Sequence, residues 1–587
     1  KSQLKTTATP DPWALARVIA AADGYGYEWA EAAKPDADGT YTVRLIDDMP
    51  IRGRILTLEG QPVVAAKITV RTVRCFANNR LDEYVEAWKT GRVPFPSERF
   101  ALTPPDRPGS IRTDKEGRFS LRGIGAERQA DVLLEGDGIG TARLFVMTRE
   151  TEPIVLPETA IPRGNPDRTL GATFDYLAQP SRAFWGIVRE RDTQQPIARV
   201  TVQEVLNAEA KTDGTGRFEL FGVRKAPRYF LEALAANSPY FNSSLRIDDQ
   251  PGLDPIEVVF ELARGIEAKG RVTLAGSARP NAAIVEYYPL CLNPHTQRIG
   301  PRLRKPCSSA TCDEDGRYTI PVLPGPGILA YRFGPYSRAT YREYMSASLS
   351  KEEVAAFYES AGLKPPPDTT DDRVLVSTGT QTWSSIAPSS YNHVELIDPA
   401  EGEASLTRNV ELMPGRTLEV KVVGPDGQPM AGARVRGAGN SAFEIDKFDK
   451  AEFTVTGLNP RIERKLIVEL PEQRLAAFRL LRGEQVGPLV INLGPCGVVT
   501  GRMLDAEGKP LENTLLQFGR QWSFPADFTP KTDVDGKFRV DGLVPGLPYG
   551  ITLKLPGKVG MSRPAQDIVV AAGERKDLGD VRLNPRK

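Results

Sequence analysis

Apolar and polar residues alternate in short runs along this chain, and the runs recur in a fixed order. "GRILTLEGQP" from Gly53 alternates and then turns at Gly-x-Pro, which predicts a strand running into a loop. The same run stands in "FWGIVRERDTQQPIARVTV" from Phe184 and "AKGRVTLAGSARPNAAIV" from Ala268. It stands again in "LEVKVVGPDGQPMAGARVRG" from Leu418 and "VTGRMLDAEGKPLENTLLQF" from Val499. Proline after Gly60, Gly427 and Gly508 presets a turn and cannot continue a central strand.

A second landmark follows each of these runs. It reads "TDKEGRFSLRGI" from Thr113, "TDGTGRFELFGV" from Thr212, "CDEDGRYTIPVL" from Cys312 and "TDVDGKFRVDGL" from Thr532. This is a hairpin signal: Gly supplies positive φ, and Asp bonds the local backbone. The aromatic two positions on (Phe119, Phe218, Tyr318, Phe538) is predicted to point into a core, and a glycine follows at Gly123, Gly222, Gly325 and Gly542. The fourth copy, "FDKAEFTVTGLNP", keeps Phe453 and Gly457 but has Ala451 at the turn. Closing strands are predicted at "TYTVRLID", "ATFDYLA", "IEVVFELA", "RNVELMPG", "PLVINLGP" and "DLGDVRLNP".

The period predicts an all-β chain of tandem Ig-like, prealbumin-like β-sandwiches with two short helical insertions. The expected units are 49–182 with a helical insertion, 183–264, 265–415 with a long aromatic-rich insertion, 416–495 and 496–587. The first closing strand has no opening run before it. Residues 1–48 therefore read as a partial sandwich, and the full protein is expected to extend upstream of Lys1. The linkers are a few residues long, which predicts a semi-rigid rod or arc.

Composition narrows the chemistry. In 587 residues there are 76 Lys and Arg against 75 Asp and Glu, a net charge of +1, so no nucleic-acid partner is expected. Two histidines, His295 and His393, lie among Pro, Asn and Ser and read as loop residues. That number leaves little for His-based catalysis or zinc, so no enzyme, no catalytic residue, no metal and no cofactor is expected. No apolar run approaches the roughly 20 residues a membrane-crossing helix needs. The carboxylate pairs Asp313/Asp315 and Asp533/Asp535 invite calcium, but Pro324 and Val544 stand where a bidentate Glu belongs. The acids also change from copy to copy, so the turn reads as scaffold.

The two landmarks together resemble the carboxypeptidase regulatory-like domain and the wider group of prealbumin-like and Cna-B-like modules. "GRMLDAEGKPLENTLLQF" and "TDVDGKFRVDGLVPG" carry the likeness best, and it spans about three quarters of the chain. Phrases such as "GYG", "DMPIRGRI" and "GQPV" look like those of long proteins of planctomycete bacteria. The resemblance implies seven- or eight-stranded sandwiches that serve as rods, stalks or carbohydrate-binding-like modules. In Cna-B-like modules a Lys–Asn isopeptide bond occurs; Lys421 and Asn492 are the pair in reach here, although alternation turns Lys421 outward.

The insertions are where binding is expected. "NNRLDEYVEAWKTGR" predicts a helix capped by Asn79 and ended by Gly91, with Leu81, Tyr84, Val85 and Trp88 on one stripe. "SKEEVAAFYESAG" predicts a second helix, with a capping box from Ser350 and Glu353 and an end at Gly362 before Pro365, Pro366 and Pro367. Tyr336, Tyr341, Tyr344, Trp383, Tyr391, Trp88 and Tyr84 form the candidate ligand surface, and packing under a long loop is the competing reading. Cys291 and Cys307 are the candidate disulfide among five cysteines. The expected function is a non-catalytic exported scaffold or adhesin-like rod. It would lie outside the cell, at its surface or in the periplasm, with protein partners, surface polysaccharide or other envelope proteins. The alternatives are a carbohydrate- or peptide-binding protein using the third insertion, and the sensory or regulatory region of a larger protein.

Overall fold

Every opening strand becomes the middle strand of its sheet, which has three strands in four of the sandwiches and four in the third. The structure is a computed structural model. It describes residues 17–31, 39–76, 79–89, 99–102, 110–156, 167–204, 208–275, 283–299, 307–333, 344–365, 374–377, 383–439, 445–485, 487–520, 528–553 and 562–583. In the first sandwich Ile51–Leu56 lies between Arg118–Leu121 and Thr173–Leu177. In the second, Ser181–Glu190 lies between Arg217–Arg224 and Ile256–Leu262. In the third, Ile266–Leu274 pairs with Arg317–Val322 on one side and with Ser405–Thr407 and Val410–Leu412 on the other. Arg416–Val423 lies between Glu452–Leu458 and Leu489–Asn492, and Gly497–Leu504 between Lys537–Leu543 and Arg575–Arg582.

The strand after the turn is antiparallel to the opening strand, as a hairpin frame demands. The closing strand is parallel to it in all five sandwiches. Parallel neighbours run in the same direction, so the chain enters each sandwich at one end of this sheet and leaves at the other.

A second sheet covers the first. It starts from the strand after the Gly-x-Pro loop, for example Thr201–Glu204, which pairs with Arg228–Leu234 and through it with Ser243–Asp248. Ala433–Arg436, Glu463–Leu470 and Leu475–Arg482 repeat that order in the fourth sandwich. Between the sheets lie five apolar cores, one per sandwich. The aromatic after each turn enters its core as predicted: Phe119, Phe218, Tyr318, Phe453 and Phe538 are all buried.

Arg17–Ala20 and Glu28–Glu31 form a hairpin. Tyr27 and Trp29 from this segment pack into the first core, and the buried Glu28 carboxylate lies 2.6 Å from the buried Arg128 guanidinium. Asp48 accepts the backbone N–H groups of Gly123 and Gly125.

Both helices form. The first, α1, spans Asp82–Lys89. Asn79 does not cap it: its φ is +53°, whereas an N-cap residue takes extended backbone. Gly91 lies outside the described residues. The second, α2, spans Lys351–Ser360 with the Ser350–Glu353 capping box in place. Gly362 follows it at φ +71°, and its N–H reaches back to Glu359 O. Pro365 is described, whereas Pro366 and Pro367 lie outside the described residues. His393 is not in a loop. It opens the strand His393–Ile397, its ring 5.6 Å from that of Tyr331, because Tyr331 is its cross-strand partner.

Candidate functional site

The repeated turn resolves into one hydrogen-bond pattern. Oδ1 of Asp114, Asp213, Asp313 and Asp533 accepts the backbone N–H groups two and four residues on, at 2.8–3.0 Å. One oxygen of each of these carboxylates thus caps its own turn in every copy. Among the described residues no group of three His, Cys, Asp or Glu is arranged to hold a metal ion. The turn glycine donates back to the same Asp carbonyl, and its own carbonyl accepts from the opening strand: Ile55 to Gly117, Val188 to Gly216, Val272 to Gly316, Met503 to Gly536, each at 2.8 Å. In the fourth copy Val422 donates to Ala451 at the same 2.8 Å. A different residue therefore keeps the contact.

The threonine before the Asp is a clamp between the two landmarks. Thr113 Oγ1 accepts the Ala66 N–H and donates to Val63 O; Thr212 does the same with Val200 and Ile197, and Thr532 with Thr514 and Leu511. All three side chains are buried, so each joins the post-proline strand to the turn in a dry setting. The third sandwich has Cys312 at this place. Sequence reading saw the repeated Thr but had no signal for its partners.

The candidate ligand rings are mostly core. Tyr84 and Trp88 of α1 are buried against Phe76, Phe145, Met147 and Leu156 on the flank of the first sandwich. Tyr344 lies in the third core, and Tyr391 lies in a satellite cluster under the long insertion. These four rings are therefore corrected from surface to packing. The physical reason is that a short helix or loop on a sandwich can bury its apolar stripe only against the sheet below. Tyr336 and Tyr341 lie outside the described residues. Trp383 begins the strand Trp383–Ile386.

Inside the satellite cluster stands a polar network that the sequence did not reveal. The buried Glu286 carboxylate accepts from Arg332 at 2.9 Å and from Tyr288 at 3.1 Å, and the hydroxyls of Tyr288 and Tyr391 lie 2.7 Å apart. Burial raises both tyrosines above the usual phenol range, with Glu286 adding to the shift. They stay protonated, and the network fixes the insertion by hydrogen bonds. Cys291 and Cys307 are free thiols, so the expected bridge is not formed. Cys307 sits in the third core, whereas the Cys291 Sγ faces the satellite cluster, 3.2 Å from the Tyr358 hydroxyl. Lys421 pairs with Glu452 at 3.8 Å, and Asn492 is registered against Val423, so no isopeptide pair is set up.

What the fold builds between each pair of successive sandwiches, four times over, is the junction. Between the first and second sandwiches Thr141 N–H donates to Gly222 O at 2.7 Å and Lys225 N–H to Pro180 O at 2.9 Å. Phe241 of the second sandwich inserts into the core of the third, its ring 6.5 Å from Tyr287. At the third junction Asn459 Nδ2 donates to Ser346 O at 2.6 Å, and Arg461 reaches Glu353 Oε1 at 2.7 Å. Glu353 is also the capping-box residue of α2, so the long insertion braces this junction. The Ser350 N–H, first, and then Arg461 hold its carboxyl below the usual range. Ile467 and Ala476 of the fourth sandwich belong to the core of the fifth.

No protein-family model matches the chain, and no curated protein does. Among solved structures it is similar to the TIE protein of Bacillus anthracis at 9% identity, over 94% of this chain and 76% of that one, with a TM-score of 0.14. A streptococcal ancillary pilin matches at 9% identity over 69% of this chain and 100% of that one, with a TM-score of 0.14. The shaft pilin SpaA of Lactobacillus rhamnosus GG matches at 7% identity over 37% and 98%, with a TM-score of 0.14. No helix among the described residues is long and apolar enough to cross a membrane.

Proposed function

We propose that the chain is a non-catalytic structural and interaction protein of the cell surface or envelope, a semi-rigid multi-domain scaffold that carries load along its length. One observation carries the reading: the first and last strands of every sandwich are parallel neighbours. Tension on the two ends of such a unit pulls those strands past each other. The ladder hydrogen bonds are then loaded together, instead of opening one at a time as in a hairpin. The second sandwich shares seven registered pairs between Phe184–Glu190 and Ile256–Leu262. The junctions pass force from one sheet to the next through backbone bonds and inserted side chains.

Single-molecule stretching of the whole chain tests this. The expected trace is a series of separate unfolding events at forces well above those that unzip an antiparallel hairpin. Extension at low force without separate events would overturn the reading. Antibody labelling of intact cells tests the location, with signal before permeabilisation as the expected result. The unit boundaries at 49, 183, 265, 416 and 496 belong to the same proposal. Limited proteolysis tests them, with cuts falling inside the insertions before the braced junctions.

A further inference from the structure

The outward face of the second sandwich's three-stranded sheet breaks a pattern that its siblings keep. The residue before the strand glycine, or its equivalent, points outward and is polar elsewhere: Arg52, Lys269, Glu419 and Thr500. In the second sandwich it is Trp185, 53% exposed. Two residues on, the siblings carry Arg54, Arg271, Lys421 and Arg502. The three arginines each donate Nε to the carbonyl of their turn: Arg54 to Glu116, Arg271 to Asp315 and Arg502 to Asp535. The second sandwich has Ile187 there and gives up that bond. Three positions after the turn aromatic the siblings carry Arg122, Pro321, Thr456 and Asp541, but the second has Phe221, 65% exposed. Val259, 40% exposed, is registered beside Ile187. Three apolar substitutions, Trp185, Ile187 and Phe221, stand on one face of one repeat with Val259 beside them, against water. Val490 holds the place of Val259 in the fourth sandwich, where its neighbour is Lys421, so the gathering is peculiar to the second and marks an interaction surface rather than scatter.

The charges on this face choose the partner. Trp185 sits on the middle strand, with Glu219 opposite it on one neighbour and Glu257 opposite it on the other. Neither carboxylate has an ion-pair partner among the described residues. One rung further stand Arg217 beside Ile187 and then Arg189, whose charge is paired with Glu261 at 2.8 Å. An indole between two unpaired carboxylates attracts a cation on its face and at its rim together.

We propose that this face docks a basic, partly apolar segment of a partner protein. A lysine or arginine lies over Trp185 between Glu219 and Glu257, and apolar residues meet Ile187, Val259 and Phe221. The proposal does not depend on the load-bearing role, because stretching does not read this face.

The test uses the whole chain and a fluorescently labelled synthetic peptide of alternating lysine and valine, with a glutamate–valine peptide as control. Trp185→Thr and Phe221→Arg give this face residues that the fifth and first sandwiches already carry, so the fold is kept; circular dichroism checks it. Glu219→Gln with Glu257→Gln removes the charge alone. The expected result is binding of the lysine peptide only, weakened roughly tenfold by Trp185→Thr and by the double Gln variant, and weakened by salt. Absence of binding, equal binding of both peptides, or unchanged affinity in Trp185→Thr would each overturn it. Self-association by sedimentation that Trp185→Thr abolishes would assign the face to a second copy and overturn it. Binding of a neutral polysaccharide, lost in Trp185→Thr while the lysine peptide is ignored, would overturn it too.

Discussion

At Gly536 a β-carbon would sit 2.6 Å from Met503 O, while the backbone holds φ at +76°. Both facts follow from one hydrogen bond: the turn must bring this residue's carbonyl onto the opening strand. Gly536→Ala is therefore expected to destabilise the fifth sandwich by about 1–3 kcal/mol, read by urea unfolding. Ala451→Gly in the fourth copy, where no positive φ is needed, is expected to change stability by less than about 1 kcal/mol. Glycine, Asp and the inward aromatic were legible because their chemistry is local. The Thr113, Thr212 and Thr532 clamps and the Arg54, Arg271 and Arg502 bonds were not, because their partners lie on other strands.

Asp249 gives a pH signature at the same scale. Lys225 first, then the Tyr229 hydroxyl, hold its carboxyl well below the usual range, and the buried Arg182 adds to this. A depressed folded pKa stabilises above the unfolded value, about 3.9, and this stability is lost as pH falls through that value toward the folded one. Asp249→Asn is expected to flatten the acid limb of the stability–pH curve between about pH 4 and 2. The midpoint near pH 7 is expected to fall.

At the scale of elements, alternation told which residues face inward but not which strand lies beside which. "IEVVFELA" was legible as a closing strand, yet its parallel pairing with Ser181–Glu190 came only from the structure. Period also located both helices, and the Ser350–Glu353 box fixed the start of α2. It did not separate a ligand surface from packing, because an apolar stripe looks the same in either role until its covering is known. Trp88, T-shaped against Phe145 at 6.1 Å, is core. Trp88→Ala is expected to cost about 3–5 kcal/mol in the first sandwich. Ser350→Ala is expected to cost about 1 kcal/mol, confined to α2. Hydrogen exchange of the two segments reads both.

At the scale of the molecule, short linkers in the sequence suggested limited hinge freedom. At the junctions the structure adds Phe241, Asn459, Ile467 and Ala476, side chains of one sandwich seated on or in its neighbour. Such inserted residues couple neighbours that would otherwise move as separate beads. Phe241→Ala empties a place in the third core. It is expected to lower the stability of the third sandwich by about 3–5 kcal/mol while freeing the second junction.

Small-angle scattering of the whole chain, beside Phe241→Ala and Asn459→Ala, tests the coupled-junction account most directly. The account predicts a narrow, elongated distance distribution for the natural chain and a broader, more compact one for each variant. A natural chain that already scatters as freely jointed sandwiches, unchanged in the variants, would contradict it.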